Sequence, residues 1–389
     1  MLDWLLVVVT LVYGISGYWQ GFVTGAAATL GLLLGGAIGV LALPLLIGGF
    51  APSLTLSLGA LLGVLVSASM GQALGSFVGS RARDRIPWKP VRSLDAIGGA
   101  ALSMAAVMLV AWVLGYAVSG TKLPSISDQV RSSAVLSRVD AVMPNGAEQA
   151  LGAFNRVVDS NLFPRYLEPF ANEQIVDVPR PNRGLLTRPG VVDAADSVVK
   201  VIGEATACDR MIEGSGFVYD DERVMTNAHV VAGVEEPTVS VGGEQLSATV
   251  VVYDPQLDVA VLAVEGLDAE PLDFGRTAES GDPGVVLGFP ENGPYNVQPA
   301  RVRSQQSLRG PDIYDEGSVV RDVYSIRALV RSGNSGGPLV SATGRVLGVV
   351  FAASLSDAST GYVLTVDAVA DRAEEGATAG SAVSTQDCA

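Results

Sequence analysis

The sequence predicts a four-helix transmembrane bundle followed by an all-β, double-barrel domain. Three observations carry that expectation. The 389-residue chain is 49% hydrophobic and only 17% charged, with a mean hydropathy of +0.38, and the apolar excess falls in residues 1–119. From residue 191 onward, short β-rich runs alternate with glycine and acidic turns, as in barrels or sandwiches. Between the two lies a segment of helix-like spacing that ends in prolines. The chain therefore divides into 1–119, a spacer and linker at 120–190, and an outer domain at 191–389.

Four apolar segments, about 2–18, 21–50, 56–78 and 96–118, are each long enough to cross a hydrocarbon layer of about 30 Å. The first has no basic flank and no cleavage site, so it reads as an anchor rather than a removable signal. The second contains Pro44 and exceeds the required length, which favours tilt or a break. Residues 1–119 carry five basic groups (Arg81, Arg83, Arg85, Lys89, Arg92) against three acidic ones (Asp3, Asp84, Asp95), a net of +2. All five bases lie between segments three and four, which makes that loop cytoplasmic and everything after Ser119 extracytoplasmic. Gly31, Gly35 and Gly39, and likewise Gly71, Gly75 and Gly79, form small-residue stripes suited to close helix packing. No segment has a charge at its middle, which argues against an ion or proton pathway. With Gly17-Tyr18-Trp19-Gln20-Gly21-Phe22 at its first hairpin, this half resembles the colicin V production protein family of four-helix membrane proteins.

In the spacer, residues 133–143 and 147–160 have helical apolar spacing, separated by Pro144-Asn145-Gly146. Residues 178–184, with Pro179 and Pro181, read as a stiff extended linker. The segment either spaces the outer domain from the bilayer or packs on it as a regulatory arm.

The whole chain has a net charge of −15, which leaves −17 for residues 120–389. Such a domain is repelled by nucleic acid, so a DNA or RNA partner is excluded. Ten short strands are predicted, at 197–202, 216–219, 238–241, 248–252, 259–264, 284–287, 300–302, 326–330, 346–351 and 362–365. The polar stretch 307–322, with Asp312, Asp315, Glu316 and Asp322, reads as a mobile loop beside the cleft.

Arg331-Ser332-Gly333-Asn334-Ser335-Gly336-Gly337-Pro338 lies between two apolar runs. It is either a plain surface turn or a nucleophile turn, in which Ser335 attacks a carbonyl and the amides of Gly333 and Ser335 hold the resulting oxyanion. The chain has one histidine, His229, which disfavours a His-based zinc site and leaves it as the only imidazole able to deprotonate Ser335. Among the acids, Asp258 opens an apolar strand, where its carboxylate could be fixed as a group holding an imidazole tautomer must be. Asp254 is the fallback and reads more naturally as a turn residue.

Together, Thr226-Asn227-Ala228-His229, Asp258-Val259-Ala260-Val261-Leu262 and Gly333-Asn334-Ser335-Gly336-Gly337-Pro338 resemble the trypsin/chymotrypsin-like serine proteases, in that family's chain order. Gly214-Ser215-Gly216-Phe217 fits as well, and the bacterial high-temperature-requirement branch looks closest. The resemblance implies two barrels with the triad between them, and it implies no metal and no cofactor. By the family's alignment the specificity pocket has Leu329 at its base and walls from Val350, Phe351, Ala353 and Gly361, which implies a preference for apolar side chains. Trypsin-like zymogens have aspartate before the serine, paired with a new N-terminus. Asn334 cannot make that pair, so activation without N-terminal cleavage is expected, and N-terminal sequencing of the active enzyme decides it. Fewer than thirty residues follow Val366, too few for the PDZ domain usual in high-temperature-requirement relatives.

Cys208 and Cys388 are the only cysteines, an even count in a compartment that oxidises thiols. One disulfide is expected, with two buried thiols as the alternative. The complete architecture resembles the actinobacterial membrane proteases of the mycobacterial acid-resistance type. That likeness implies a multi-pass protein of the inner membrane with its protease domain on the periplasmic side. It also implies cell-envelope protein substrates, peptidoglycan hydrolases among them, and a role in acid or oxidative stress. A protease-fold scaffold and a transporter with an accessory outer domain are the competing readings.

Overall fold

The computed structural model describes residues 2–47, 54–85, 88–119, 129–143, 166–167, 173–208, 210–354 and 356–389. The expected helix at 147–160 lies outside them. The chain forms two compact units, Met1–Gly115 with Ser133–Val142, and Tyr116–Ser132 with Met143–Ala389.

In the first unit four long helices fall on the four apolar segments: α1 (Leu2–Gln20), α2 (Phe22–Ile47), α3 (Leu54–Arg83) and α4 (Lys89–Ser119). A short α5 (Ala134–Asp140) follows. Where four crossings were expected, three helices are long and apolar enough over their described residues, at Leu2–Gln20, Phe22–Gly39 and Lys89–Tyr116. The glycine stripes bring α2 and α3 into backbone contact. A Cβ on Gly31 would lie 2.1 Å from the Gly71 carbonyl oxygen, and one on Gly75 the same distance from that of Ala27. At the other end, Arg83 Nε pairs with the buried Asp95 carboxylate at 2.7 Å, and Asp95 also accepts from the Val23 amide at 2.9 Å.

The second unit holds two antiparallel sheets. The first comprises β1 (Val198–Ala205), β2 (Arg210–Asp220), β3 (Arg223–Thr226), β4 (Thr238–Val241), β5 (Glu244–Ser247), β6 (Thr249–Asp254) and β7 (Val259–Ala263), in the order β5-β4-β1-β2-β3-β7-β6. The second comprises β8 (Pro283–Gly288), β9 (Asn296–Pro311), β10 (Ser318–Arg327), β11 (Pro338–Val340), β12 (Val346–Ala353) and β13 (Thr360–Thr365), and it closes into a barrel. Two barrels were expected and one closes. The first sheet stays open because its edges are managed otherwise. Strand β5 is short and largely exposed, and beyond β6 the C-terminal segment adds a hydrogen bond from the Val383 amide to the Val250 carbonyl at 2.9 Å.

Side chains alternate faces along the strands, so β8 feeds two cores. Val286 joins Tyr324, Ile326, Leu339, Val350 and Val363 inside the barrel. Val285 and Leu287 face the other way, into an apolar cluster shared with Phe217, Met225 and Val261 of the first sheet. Helix α6 (Pro189–Asp193) precedes the first sheet, and helix α7 (Val366–Thr378) starts at Thr365, whose hydroxyl accepts from the Ala368 amide. It buries Val369, Ala373 and Gly376.

One connecting segment differs from expectation, and another takes one of the two arrangements left open. Residues 307–322 are mostly hairpin: β9 and β10 pair from Arg301–Arg327 out to Pro311–Ser318. Its polar residues are used in place, with Ser307 donating to Asp322 at 2.7 Å and Asp312 Oδ1 accepting from the amides of Tyr314 and Glu316. The spacer packs on the protease unit over its described residues. Tyr166 is buried against Tyr362 and Phe351, with ring centroids 4.9 and 6.4 Å away. Glu173 accepts hydrogen bonds from the hydroxyls of Tyr166 (2.5 Å), Tyr362 (3.1 Å), Ser354 (2.9 Å) and Ser356. Cys208 and Cys388, 180 residues apart, form a disulfide.

Candidate active site

Strand β3 ends at Thr226, and a single tight turn over Ala228–Val230 presents His229. Its ring lies against Asp258, with Nδ1 2.8 Å from Oδ2 and 3.0 Å from Oδ1. The carboxylate also accepts from the His229 backbone amide at 3.0 Å, so both the ring and the main chain of the histidine are referenced to one acid. Asp258 is 1% exposed and stands at φ 67°, immediately before β7. Two bonds hold it there: its amide donates to the Asp254 carbonyl at 2.9 Å, and its carbonyl accepts from Asn227 Nδ2 at 2.7 Å.

Asp254 is otherwise engaged. Its Oδ1 accepts from the amides of Gln256 and Leu257, and its Oδ2 pairs with Arg372 of α7 at 3.0 Å. Around the acid, burial, the hydrogen bond to Tyr314 and the nearby Asp258 charge hold the Tyr253 phenol well above its ordinary pKa. Burial lowers the pKa of Arg321, while Asp258, Asp312 and Asp254 act to keep it charged.

Ser335 is 2% exposed and is linked to the histidine segment through Ser215. Its carbonyl accepts from the Ser215 amide at 2.8 Å, and the Ser215 carbonyl in turn accepts from the Thr226 hydroxyl at 2.7 Å. Gly336, at φ 81°, has no room for a side chain, since a Cβ would lie 2.3 Å from Thr226 Oγ1. Gly333, at φ 85°, turns the chain ahead of the serine. Within the turn the amides of Asn334, Gly336 and Gly337 donate to Arg331, Val350 and Asn334 carbonyls, whereas those of Gly333 and Ser335 donate to no protein acceptor among the described residues. Asn334 is fully buried, and its Oδ1 accepts from the Arg331 amide at 2.9 Å, closing the turn from within.

With Nδ1 facing the carboxylate, the proton is assigned there and Nε2 keeps a lone pair for a hydroxyl. An imidazole fixed by an acid, a serine on a glycine turn and free amides beside it suit acyl transfer. The residues read as the pocket divide into two groups. Val350 shares the barrel core with Val330, and Ala353 packs on it, while Gly361 lies so close to Val330 that a Cβ would be 2.3 Å from its Cγ2. Leu329 is 47% exposed, and Phe351 faces the opposite side, against Tyr166. Val330, Asn227 and the Ser215 side chain were not singled out from the sequence. Val330 ends the expected strand 326–330, and Ser215 and Asn227 lie inside quoted motifs that do not specify their side-chain bonds.

Residues 214–349 match the family described as trypsin-like peptidase domain, and residues 2–144 match colicin V production protein. Serine protease Rv3671c of Mycobacterium tuberculosis is 39% identical over 381 residues, covering 97% of this chain and 96% of that one. The chain belongs to that serine protease family. It is a serine endopeptidase with a trypsin-like catalytic domain. The crystal structure of the Rv3671c protease in its active form is 47% identical, with a TM-score of 0.55, and covers 57% of this chain and 98% of that one. The protease is also similar, at 34% identity over 140 residues, to a probable periplasmic serine endoprotease of the DegP-like kind from Hahella chejuensis. That match covers 35% of this chain and 29% of the relative.

Proposed function

We propose that this protease is anchored in the cell membrane by four helices and hydrolyses peptide bonds of extracytoplasmic, cell-envelope proteins. Ser335 attacks the scissile carbonyl while His229 takes its proton and later returns it to the leaving amine. Asp258 holds the imidazole and stabilises its charged form. The amides of Gly333 and Ser335 bind the oxyanion. One observation carries this reading: the only imidazole of the chain is bound to a buried carboxylate at 2.8 Å, and the Thr226 hydroxyl and Ser215 link its segment to the serine turn. The basic loop between α3 and α4 supports the extracytoplasmic placement of the catalytic domain. Peptidoglycan hydrolases as substrates, and service under acid or oxidative stress, follow from the family likeness. The residues that the family likeness puts in the specificity pocket, Leu329, Val350, Phe351, Ala353 and Gly361, carry no charge, which favours apolar substrate side chains, and a peptide library cleaved chiefly after Lys or Arg overturns that preference.

A membrane-impermeant fluorophosphonate applied to sealed spheroplasts tests the chemistry and the orientation together. The wild type is expected to label and Ser335→Ala to stay unlabelled. Labelling of both removes Ser335 as nucleophile, and labelling only after lysis reverses the orientation.

A further inference from the structure

The Ser215 hydroxyl is buried where three segments distant in the sequence meet. It donates to the Gly333 carbonyl at 2.6 Å and accepts from the Phe289 amide at 2.8 Å. Space for it is made by glycine: a Cβ on Gly288 would lie 2.6 Å from its oxygen, and one on Gly337 would lie 3.2 Å from its Cβ.

The position of this bond gives it leverage. Three successive peptides form the oxyanion turn, and the outer two carry the Gly333 and Ser335 amides. The middle peptide, Gly333–Asn334, is clamped at both ends. Its carbonyl is held by Ser215 and its N–H donates to the Arg331 carbonyl at 3.0 Å. Peptides are planar, so the turn moves only by rotation about the backbone bonds of Gly333 and Asn334, and rotating the middle plane redirects both outer amides. Glycine at φ 85° resists such rotation less than any other residue. The Ser332 carbonyl is pinned separately, by the Glu291 amide at 2.7 Å. Glu291 itself stands at φ 57° and Asn292 at φ 53°, on a turn that Lys200 grips through the Asn292 carbonyl and side chain at 3.0 Å each. The Ser215 hydroxyl ties the catalytic turn to this second anchored turn through Phe289.

We propose that Ser215 is a positioning residue for the oxyanion hole, its hydroxyl fixing the Gly333–Asn334 peptide so that the Gly333 and Ser335 amides stay convergent. This rests on the triad reading above. Its side chain acts through the backbone and does not touch the reacting atoms. Loss of the hydroxyl loosens an electrostatic site that works by being fixed in advance. The cost falls on the transition state rather than on substrate binding.

The test uses the full-length protein in detergent and a peptide thioester with an apolar residue at the cleaved position. Ser215→Ala is expected to lower kcat about 10–100-fold with KM changed less than about 2-fold. Affinity for a peptidyl trifluoromethyl ketone is expected to fall by the same factor as kcat/KM. Ser197→Ala is the control. It removes an equally buried hydroxyl, bonded to the Glu270 carbonyl at 2.6 Å, and is expected to lower melting temperature without changing kcat. If Ser215→Ala does not fold, Ser215→Cys, similar in size but a poor donor, is read the same way. An unchanged kcat in the folded variant, or a loss matched by Ser197→Ala at equal destabilisation, overturns the proposal. Turnover by Ser335→Ala would instead overturn the triad reading beneath it.

Discussion

Asp258 stands in the left-handed region, where most side chains are strained and Asp and Asn are tolerated. Asp258→Asn therefore changes the charge while leaving the backbone a conformation it accepts. We expect kcat to fall about 10⁴-fold because the amide favours the wrong imidazole tautomer. A loss of less than about tenfold in steady-state assays would remove Asp258 from the mechanism. His229, Asp258 and Ser335, the proposed triad, stand out in the sequence because their chemistry is narrow: one imidazole, one serine among glycines, one acid opening an apolar strand. The Ser215 hydroxyl does not, since its partner lies 118 residues away and nothing local marks the pairing. Leu329 and Val330 differ by one position, and counting back from the serine does not say which of two adjacent side chains turns inward.

At the scale of elements, β1, β6, β7, β12 and β13 were readable from apolar runs, and β3, β5 and β11, of three or four residues, were not. Helix α7 was missed although its signals are present, with Thr365 as cap, Asp367 in the first turn and apolar Val369 and Ala373 one turn apart. It matters to the site because Arg372 steadies the Asp254 turn that holds Asp258. The β9–β10 hairpin read as a loop because its residues are polar on both faces, which erases the period-two signal.

The docked spacer brings a pH dependence with it. Burial raises the Glu173 pKa, but hydrogen bonds from Ser356, Tyr166 and Ser354 and the Arg131 charge outweigh it and hold the group below the usual glutamate value. A depressed carboxyl stabilises fully above the unfolded pKa of about 4.3 and loses that contribution as pH falls through the folded value. Glu173→Gln is expected to lower the melting temperature by about 3–6 °C at neutral pH, as for loss of a charged hydrogen bond. The difference should shrink below about pH 4. A constant difference from pH 7 to pH 3 would show that the ionised form is not what the site holds.

For the whole molecule, the split between an apolar, slightly basic first part and a strongly acidic remainder was plain from composition, because membrane and water select opposite surfaces. Closure of one sheet and not the other was not, since it depends on pairings between strands distant in the sequence. The C-terminal tail reaches Val250 through Val383 and Tyr314 through the Thr385 and Asp387 carbonyls, and Cys388 fixes it to Cys208. A loop of 180 residues gives the crosslink an upper bound of about 5 kcal/mol. Replacing both cysteines by serine is expected to lower the melting temperature by about 5–15 °C. Identical melting curves would leave the bond without a structural role.

The anchoring of Glu173 also has a mechanical side. Tension carried along the chain into Tyr166 and Glu173 is borne first by the hydroxyls of Tyr362, Ser354 and Ser356. These side chains belong to β13 and to the segment that continues β12, the strand expected to wall the substrate pocket. The docked spacer and that strand thus share an attachment point at Glu173.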